Sequence, residues 1–489
     1  MNILLVDPAL RDGVPELYEN IGIAALAAST RQAGFETGTI LTHLEGWSYR
    51  RLGQEIIRRD PDVLGVSLLS YNARRTLNLL RRLKQDGLRS RIVVGGHFPT
   101  FNDEILLQKW PELDVVVRGE GDLILVDLLK NWEAEDDPGM VEGVSFREGS
   151  DIRRNPARPL QKDLDSLPWP VRDHTERIIE MGGSLNLVRA RGCYANCAFC
   201  SIASFYRSQG GPGWRQRSVG SVIEEMRELT ARFPDVEVKF HDDQFIGPGM
   251  KGWEDAMAFA QALIDEGSGV PFSIFARADS IEPELFRALK AAGLKSVFVG
   301  IESGSQNQLD SCGKRTSVAV NRQSLEILNE LEISFVMGLI FFDPYTRMAD
   351  VSANLSFLMD TQSLWGPRGN VLSIENRVIV YKGTPFHERL AAEGRLEGDY
   401  IDCTYTIRDW RVRYLSKLSH LVLKRVLPGM SVIKRLPAHL RLFRKGVNNR
   451  FRILFHRRSR SAPIVWSDLN NREVPIQSST FSIEKGVHS

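Results

Sequence analysis

Two long stretches of this chain alternate short apolar runs with amphipathic helical patterns, and no other feature constrains its fold so tightly. In the first stretch the apolar runs fall at 3–6, 36–41, 63–68, 92–94 and 115–117. In the second they fall at 185–188, 236–241, 272–276, 296–299, 334–340 and 374–380, among longer helical patterns at 219–232, 255–266 and 283–292. A strand followed by a helix re-enters its sheet in the same direction, so both stretches predict parallel sheets flanked by helices. Ligands bind such sheets at the strand carboxyl ends, which makes the residues just past each run the informative ones. The chain's 489 residues allow several domains. We expect an α/β domain over 1–136, a proline-rich linker over 137–182, a second α/β domain over 183–400, and a basic, mostly helical segment with a polar tail over 401–489.

Three of the five cysteines, Cys193, Cys197 and Cys200, share one loop just past the run at 185–188. A structural metal site normally takes four protein ligands, so three thiols with no fourth nearby suggest a site with one open position. A zinc knuckle or three buried cysteines are the alternatives.

The Cys-x3-Cys-x2-Cys spacing after a strand, with Phe199 before the last cysteine, resembles the signature loop of the radical S-adenosylmethionine (SAM) superfamily. That resemblance implies a [4Fe-4S] cluster on the three thiolates, with SAM chelating the remaining iron. It also implies a partial (β/α)6 TIM-like barrel over 183–400, with its active site at the strand carboxyl ends. Phe199, Asp242, Asp243, Arg277, Glu302 and Ser303 are then the expected SAM-binding residues. Asp242 or Asp243 stands where the superfamily places an acidic or carbonyl group for the SAM ammonium, and Arg277 is placed to meet a carboxylate. Glu302 and Ser303 lie in Gly300-Ile301-Glu302-Ser303-Gly304-Ser305, which resembles a ribose-contacting turn. An ionised carboxylate has two acceptor oxygens, enough for both ribose hydroxyls. The chain departs from its relatives at Phe341-Phe342-Asp343-Pro344, where a Gly-x-Pro-Gly-Glu-Thr turn is common, and at Lys382, which replaces the first proline of a Pro-Gly-Thr-Pro turn. Cys312 reads as a small core residue. Cys403, just past the barrel, reaches an active site only if the C-terminal segment folds over it.

The first stretch lacks a Gly-x-Gly-x-x-Gly after its first run, so its alternation fits a flavodoxin-like or a plain Rossmann-like domain. Past its runs lie Ser67-Leu68-Leu69-Ser70, Gly95-Gly96-His97 and Arg118-Gly119-Glu120-Gly121. Paired glycines let a ligand approach the backbone where a Cβ would clash. The Ser-x-Leu and Gly-Gly pair resemble a Rossmann-like cobalamin-binding domain. The resemblance implies contacts from Ser67, Leu69, Gly95, Gly96, His97, Gly119 and Glu120. The string Leu41-Thr42-His43-Leu44-Glu45-Gly46 imitates the family's Asp-x-His-x-x-Gly, but it has Leu for Asp and follows the second run. His43 is therefore not expected to ligate cobalt, and reads as a surface or capping residue.

Composition limits the remaining classes. The chain is 43% hydrophobic and 25% charged, in the range of soluble globular proteins. No apolar stretch approaches the ~20 residues that span a bilayer, and the N-terminus reads as a first strand, not a signal peptide. The cysteine use argues for a reducing cytoplasm. The net charge of +2 hides an asymmetry, because 401–460 holds 16 Lys or Arg against two Asp. Trp410, Tyr414, Leu418, Leu421, Val422 and Val426 recur there at helical spacing with basic residues between them. Basic amphipathic helices lie on anionic membranes, bind acidic partners, or cap a barrel with their charges in water.

The combined resemblance implies a cobalamin-dependent radical SAM enzyme supplied by an external electron donor of flavodoxin or ferredoxin type. Its commonest chemistry is reductive SAM cleavage to a deoxyadenosyl radical, then methyl transfer from methylcobalamin to an unactivated carbon, or occasionally phosphorus, of a small molecule or lipid. A non-methylating relative such as an anaerobic oxidative ring cyclase of porphyrin type is the alternative, and a non-enzymatic cobalamin or iron–sulfur sensor a weaker one. RNA methylthiotransferases carry three N-terminal cysteines, and here no cysteine precedes Cys193, so a nucleic-acid substrate is not expected.

Overall fold

The structure, a computed structural model, describes residues 1–10, 18–365, 368–371 and 377–425, all within one compact unit, Met1–Lys434. The expected second basic stretch and polar tail lie outside the described residues. Among the described residues, no helix is long and apolar enough to cross a membrane.

The five expected runs of the first stretch become β1 (Asn2–Asp7), β2 (Glu36–Leu41), β3 (Val63–Ser67), β4 (Arg91–Gly95) and β5 (Val115–Val117), all parallel. Alternate side chains of a strand point to opposite faces. Leu4 and Val6 accordingly enter a core under the helices Tyr49–Arg59 and Ser70–Gln85, while Ile3 and Leu5 enter a second core under Ile21–Gln32 and Gly121–Glu133. The sheet does not stop at residue 136. Within the expected linker, β6 (Val144–Glu148) and β7 (Asp151–Arg154) form an antiparallel hairpin on the free edge of β5, giving the order β2-β1-β3-β4-β5-β6-β7. Val144 and Phe146 join the second core, which holds the hairpin against the sheet.

The second stretch begins with β8 (Leu185–Leu187) and a small antiparallel pair, β9 (Ala190–Gly192) and β10 (Trp214–Gln216). It continues through β11 (Val238–Phe240), β12 (Phe272–Arg277), β13 (Leu294–Glu302), β14 (Ser334–Leu339) and β15 (Gly369–Val371). Among the described residues, six strands form a parallel sheet in the order β15-β14-β13-β12-β11-β8, whose two edge strands leave it open as a partial barrel requires. The last strand precedes the expected 374–380 run. Residues 372–376 lie outside the described residues, and Arg377 makes only an isolated bridge to Phe342. Val378 and Val380 are nevertheless buried, so the described end of that run supplies core side chains.

Candidate functional site

The cysteine loop leaves the sheet through β9. Gly192 there has φ +87°, and a Cβ would lie 2.0 Å from the Gly213 carbonyl, so only glycine permits this pairing. The loop is pinned on both sides: Ala198 N–H donates to the Cys312 carbonyl (2.7 Å), and Phe386 N–H donates to the Ala198 carbonyl (2.9 Å). Cys197 is buried, Cys193 and Cys200 are partly so, and Cys200 caps the helix Ser201–Arg207. Burial pushes the Cys193 thiol up and that of Cys200 up to about 12, and nearby Cys197 adds to both. Thiolates desolvated in this way are costly without a cation, which is the environment an iron cluster relieves. Among the described residues, no three His, Cys, Asp or Glu side chains are arranged to hold a single metal ion. The donor set, three soft thiols with no fourth ligand, fits a multi-iron cluster.

The strand ends around this loop carry the expected SAM residues. Asp242 Oδ1 accepts from the backbone N–H groups of Arg189 (2.7 Å) and Ala190 (3.0 Å), while its buried Oδ2 has no partner; burial pushes its carboxyl up to about 7. Asp243 accepts from Gly192 N–H at 3.0 Å, and burial pushes it up to about 6. Arg277 is already paired: it forms a two-pronged bridge with Asp279 (2.8 and 2.7 Å), donates to the Lys314 carbonyl, and points Nη1 at Cys197 Sγ, 3.7 Å away. Glu302, at φ +60°, accepts from Lys314 Nζ at 2.8 Å. Ser303 is turned inward, its Oγ 2.7 Å from both Gln308 Oε1 and Asn354 Oδ1. Phe199 is half-buried in the loop itself. Arg277 and Asp243 thus lie near the cysteines and Phe199 is in their loop, whereas the Ser303 hydroxyl is engaged by Gln308 and by Asn354 of the helix Met348–Asp360. Lys314 was not anticipated, since a lysine two residues past Cys312 carries no sequence signal of its own.

A cavity of about 450 Å³ opens at the carboxyl ends of the first sheet and reaches the second. Ser67, Gly95, Gly96, His97, Gly119 and Glu120 line it; Leu69 is not among its lining residues. Gly96 has φ +106°, and a Cβ there would stand 3.2 Å from the Leu68 carbonyl, a backbone cradle suited to the close approach of a flat or chain-like ligand. His97 stacks on Phe205, with ring centroids 4.0 Å apart, which ties this slot to the helix after Cys200. Burial lowers the His97 imidazole to about 4, keeping it neutral. Its far wall holds His241 and Asp243 from the second sheet and Trp169 from the proline-rich segment. Sequence reasoning missed Tyr18, Trp169 and His241 among the residues lining this cavity.

Gly119 and Glu120 have a further task. A Cβ on Gly119 would collide with Gln209 at 2.2 Å, and Gln209 Oε1 accepts from Glu120 N–H at 2.9 Å. The Glu120 carboxylate takes both prongs of Arg215 (2.8 and 2.9 Å), and Asp122 takes both prongs of Arg191 (2.9 and 3.0 Å). These pairs fasten the first sheet to the β9–β10 hairpin from which the cysteine loop springs. His43 is also repositioned relative to expectation: fully buried, it stacks on Tyr18 at 5.1 Å instead of lying at the surface. Cys312 is buried, as a core residue should be, with Sγ 3.9 Å from Asp343 Oδ2; Cys403 is half-buried just before the short strand Thr404–Tyr405.

Residues 9–129 match the B12 binding domain family, and residues 187–355 match the Radical SAM superfamily. The chain is 26% identical over 367 residues to an uncharacterized methyltransferase of Pyrococcus horikoshii, covering 73% of this chain and 77% of that protein. It is 27% identical over 368 residues to an anaerobic magnesium-protoporphyrin IX monomethyl ester cyclase of Cereibacter sphaeroides, covering 69% of this chain and 57% of the cyclase, so the chain spans little more than half of that relative. Its fold is similar to that of the cobalamin-dependent S-adenosylmethionine radical enzyme OxsB, solved with aqua-cobalamin and S-adenosylmethionine, with a TM-score of 0.75 and 20% identity over 86% of this chain and 66% of that one.

Proposed function

We propose, from the premise that the chain belongs to the cobalamin-dependent radical SAM enzymes, that it is a methyltransferase acting on an unactivated carbon, or on phosphorus, of a small molecule or lipid. When bound, the family's [4Fe-4S] cluster, SAM and cobalamin supply a deoxyadenosyl radical and a transferable methyl group. The observation that carries this reading is the single cavity whose near wall is Ser67, Gly96 and His97 and whose far wall is His241 and Asp243. A methyl donor and a radical generator must meet one substrate atom, and Asp243, which lines this cavity and holds Gly192 N–H just before Cys193, sets the cysteine loop at its edge.

The chain's own residues then have definite tasks. Cys193, Cys197 and Cys200 hold the cluster, and Arg277, directed at Cys197, places a fixed positive charge beside a thiolate. Asp243 binds Gly192 N–H through one oxygen and keeps the start of the loop in place. Glu302 is held by Lys314 as the acceptor for the SAM ribose. Gly95 and Gly96 admit the corrin's tail against bare backbone, and Trp169 and Tyr206 wall the cavity against water.

The methyltransferase of Pyrococcus horikoshii, matched over 77% of its length, supports methyl transfer. The ring-cyclase relative keeps the second reading alive, and products separate the two. Methyl transfer yields S-adenosylhomocysteine together with 5′-deoxyadenosine in an anaerobic reconstituted reaction, whereas deoxyadenosine alone on a processed substrate refutes it.

A further inference from the structure

The last described helix, Trp410–Arg425, buries one side and carries a second apolar stripe that is partly exposed. Val412 and Leu415 are buried, 0% and 2% exposed, on the side that meets the helix Met348–Asp360. Trp410, Tyr414 and Leu418 recur every four residues, which places them on one helical face. They are 52%, 51% and 39% exposed. Interleaved with them are Arg411, Arg413 and Lys417, all exposed; Arg411 is bridged to Asp409 at 3.0 Å.

We propose that this face docks on an anionic lipid surface. Charge complementarity selects the occupant. The stretch 401–460 carries 16 Lys or Arg and two Asp, so a second copy of the same face, or the basic chain that follows it, would bring like charges together. An anionic bilayer offers the opposite charge over a plane as long as the stripe. The composition of the stripe fits the same occupant: Trp and Tyr pair an apolar ring with a polar edge and settle at the headgroup level, and flanking Arg and Lys reach the phosphates. A narrow stripe of three side chains, with charge on both flanks, immerses a helix shallowly and lengthwise and does not span the bilayer.

The test is co-sedimentation of the full chain with vesicles of phosphatidylcholine and phosphatidylglycerol in equal amounts, against phosphatidylcholine alone. Wild type binds the mixed vesicles and not the neutral ones. The triple variant Trp410→Ser, Tyr414→Ser, Leu418→Ser loses about tenfold or more in partition coefficient, while Met140→Ser, at a site 88% exposed elsewhere, leaves it unchanged. Because all three positions are exposed, the circular dichroism spectrum of the triple variant matches wild type. Equal binding by wild type and triple variant overturns the proposal and reduces the attraction to diffuse charge. Absence of wild-type binding to the mixed vesicles overturns it outright, and so does wild-type self-association that the triple variant abolishes without any vesicle binding, since the face would then belong to a second copy.

Discussion

Replacing Glu120 with Gln tests whether the loop after β5 fastens the two sheets together or serves the corrin. Glu120 is 11% exposed and holds Arg215, itself only 3% exposed, through two bonds of 2.8 and 2.9 Å. Glutamine keeps one acceptor but turns an NH2 toward a buried guanidinium, which then loses its counter-charge. Removing one partner of such a buried pair costs about 3–5 kcal/mol. Arg215 keeps the Gln161 carbonyl at 2.6 Å and lies over the Tyr206 ring, so the lower end applies, about 3 kcal/mol. The assay is urea unfolding of Glu120→Gln, Arg215→Met and the double variant. Arg215→Met also removes the stranded charge, so the double variant falls short of the sum of the two singles by about 2 kcal/mol. Corrin affinity of the folded Glu120→Gln protein stays within about twofold of wild type. A cost under about 0.5 kcal/mol, or strict additivity, refutes the fastening role, because a pair this buried cannot be severed without effect.

Replacing Cys193, Cys197 or Cys200 with Ala removes cluster iron and SAM cleavage while sparing corrin binding; iron analysis and deoxyadenosine release read this, and a variant that still cleaves SAM places the cluster elsewhere. Lys314→Met strips Glu302 of the cation 2.8 Å away and weakens SAM binding about tenfold by equilibrium dialysis, whereas an unchanged affinity removes Glu302 from the SAM site. The His97 imidazole is lowered to about 4 by burial, against 6.5 in an unfolded chain, so between those values the unfolded state holds more protons and stability falls as the pH drops. For the cofactor-free protein this loss amounts to about 2–3 kcal/mol from pH 6.5 to 4, and His97→Gln removes it from the pH profile of urea unfolding. An unaltered profile in His97→Gln assigns the dependence to other groups.

How far the sequence reached follows from which features are local. The strands β1–β5 of the first sheet and β8 and β11–β14 of the second were legible because each is a compact apolar run between helical patterns, and the Cys193–Cys200 loop and the Gly95-Gly96 pair carry their chemistry in adjacent residues; β15, which precedes the expected 374–380 run, was not. The β6–β7 hairpin was not legible, because its stability comes from the β5 edge and from Phe146 in a core otherwise built by residues far away, while the prolines on either side of it, Pro138 and Pro156, suggested a linker. Strand-end position alone assigned Gly119 and Glu120 to the cofactor. It identifies residues that face something, and here much of what they face is Gln209 and Arg215. Lys314, Tyr18 and Trp169 acquire their places only through tertiary packing. Asp242 shows the reverse case: the aspartate was expected, but two backbone N–H groups already engage one of its oxygens and leave only Oδ2 open.

The central claim, that a corrin fills the cavity at the carboxyl ends of the first sheet while a cluster sits on the cysteine loop that Asp243 holds at its edge, is tested most directly by cofactor content in a Gly96→Val variant. Valine at φ +106° strains the backbone and forces a Cβ to 3.2 Å from the Leu68 carbonyl, at the lining of the slot and away from the cysteine loop. Wild type produced with cobalamin holds about one corrin per chain, seen in its absorption spectrum, together with about four irons. Gly96→Val is predicted to keep the iron and lose the corrin; equal corrin in both proteins, or none in wild type, contradicts the account.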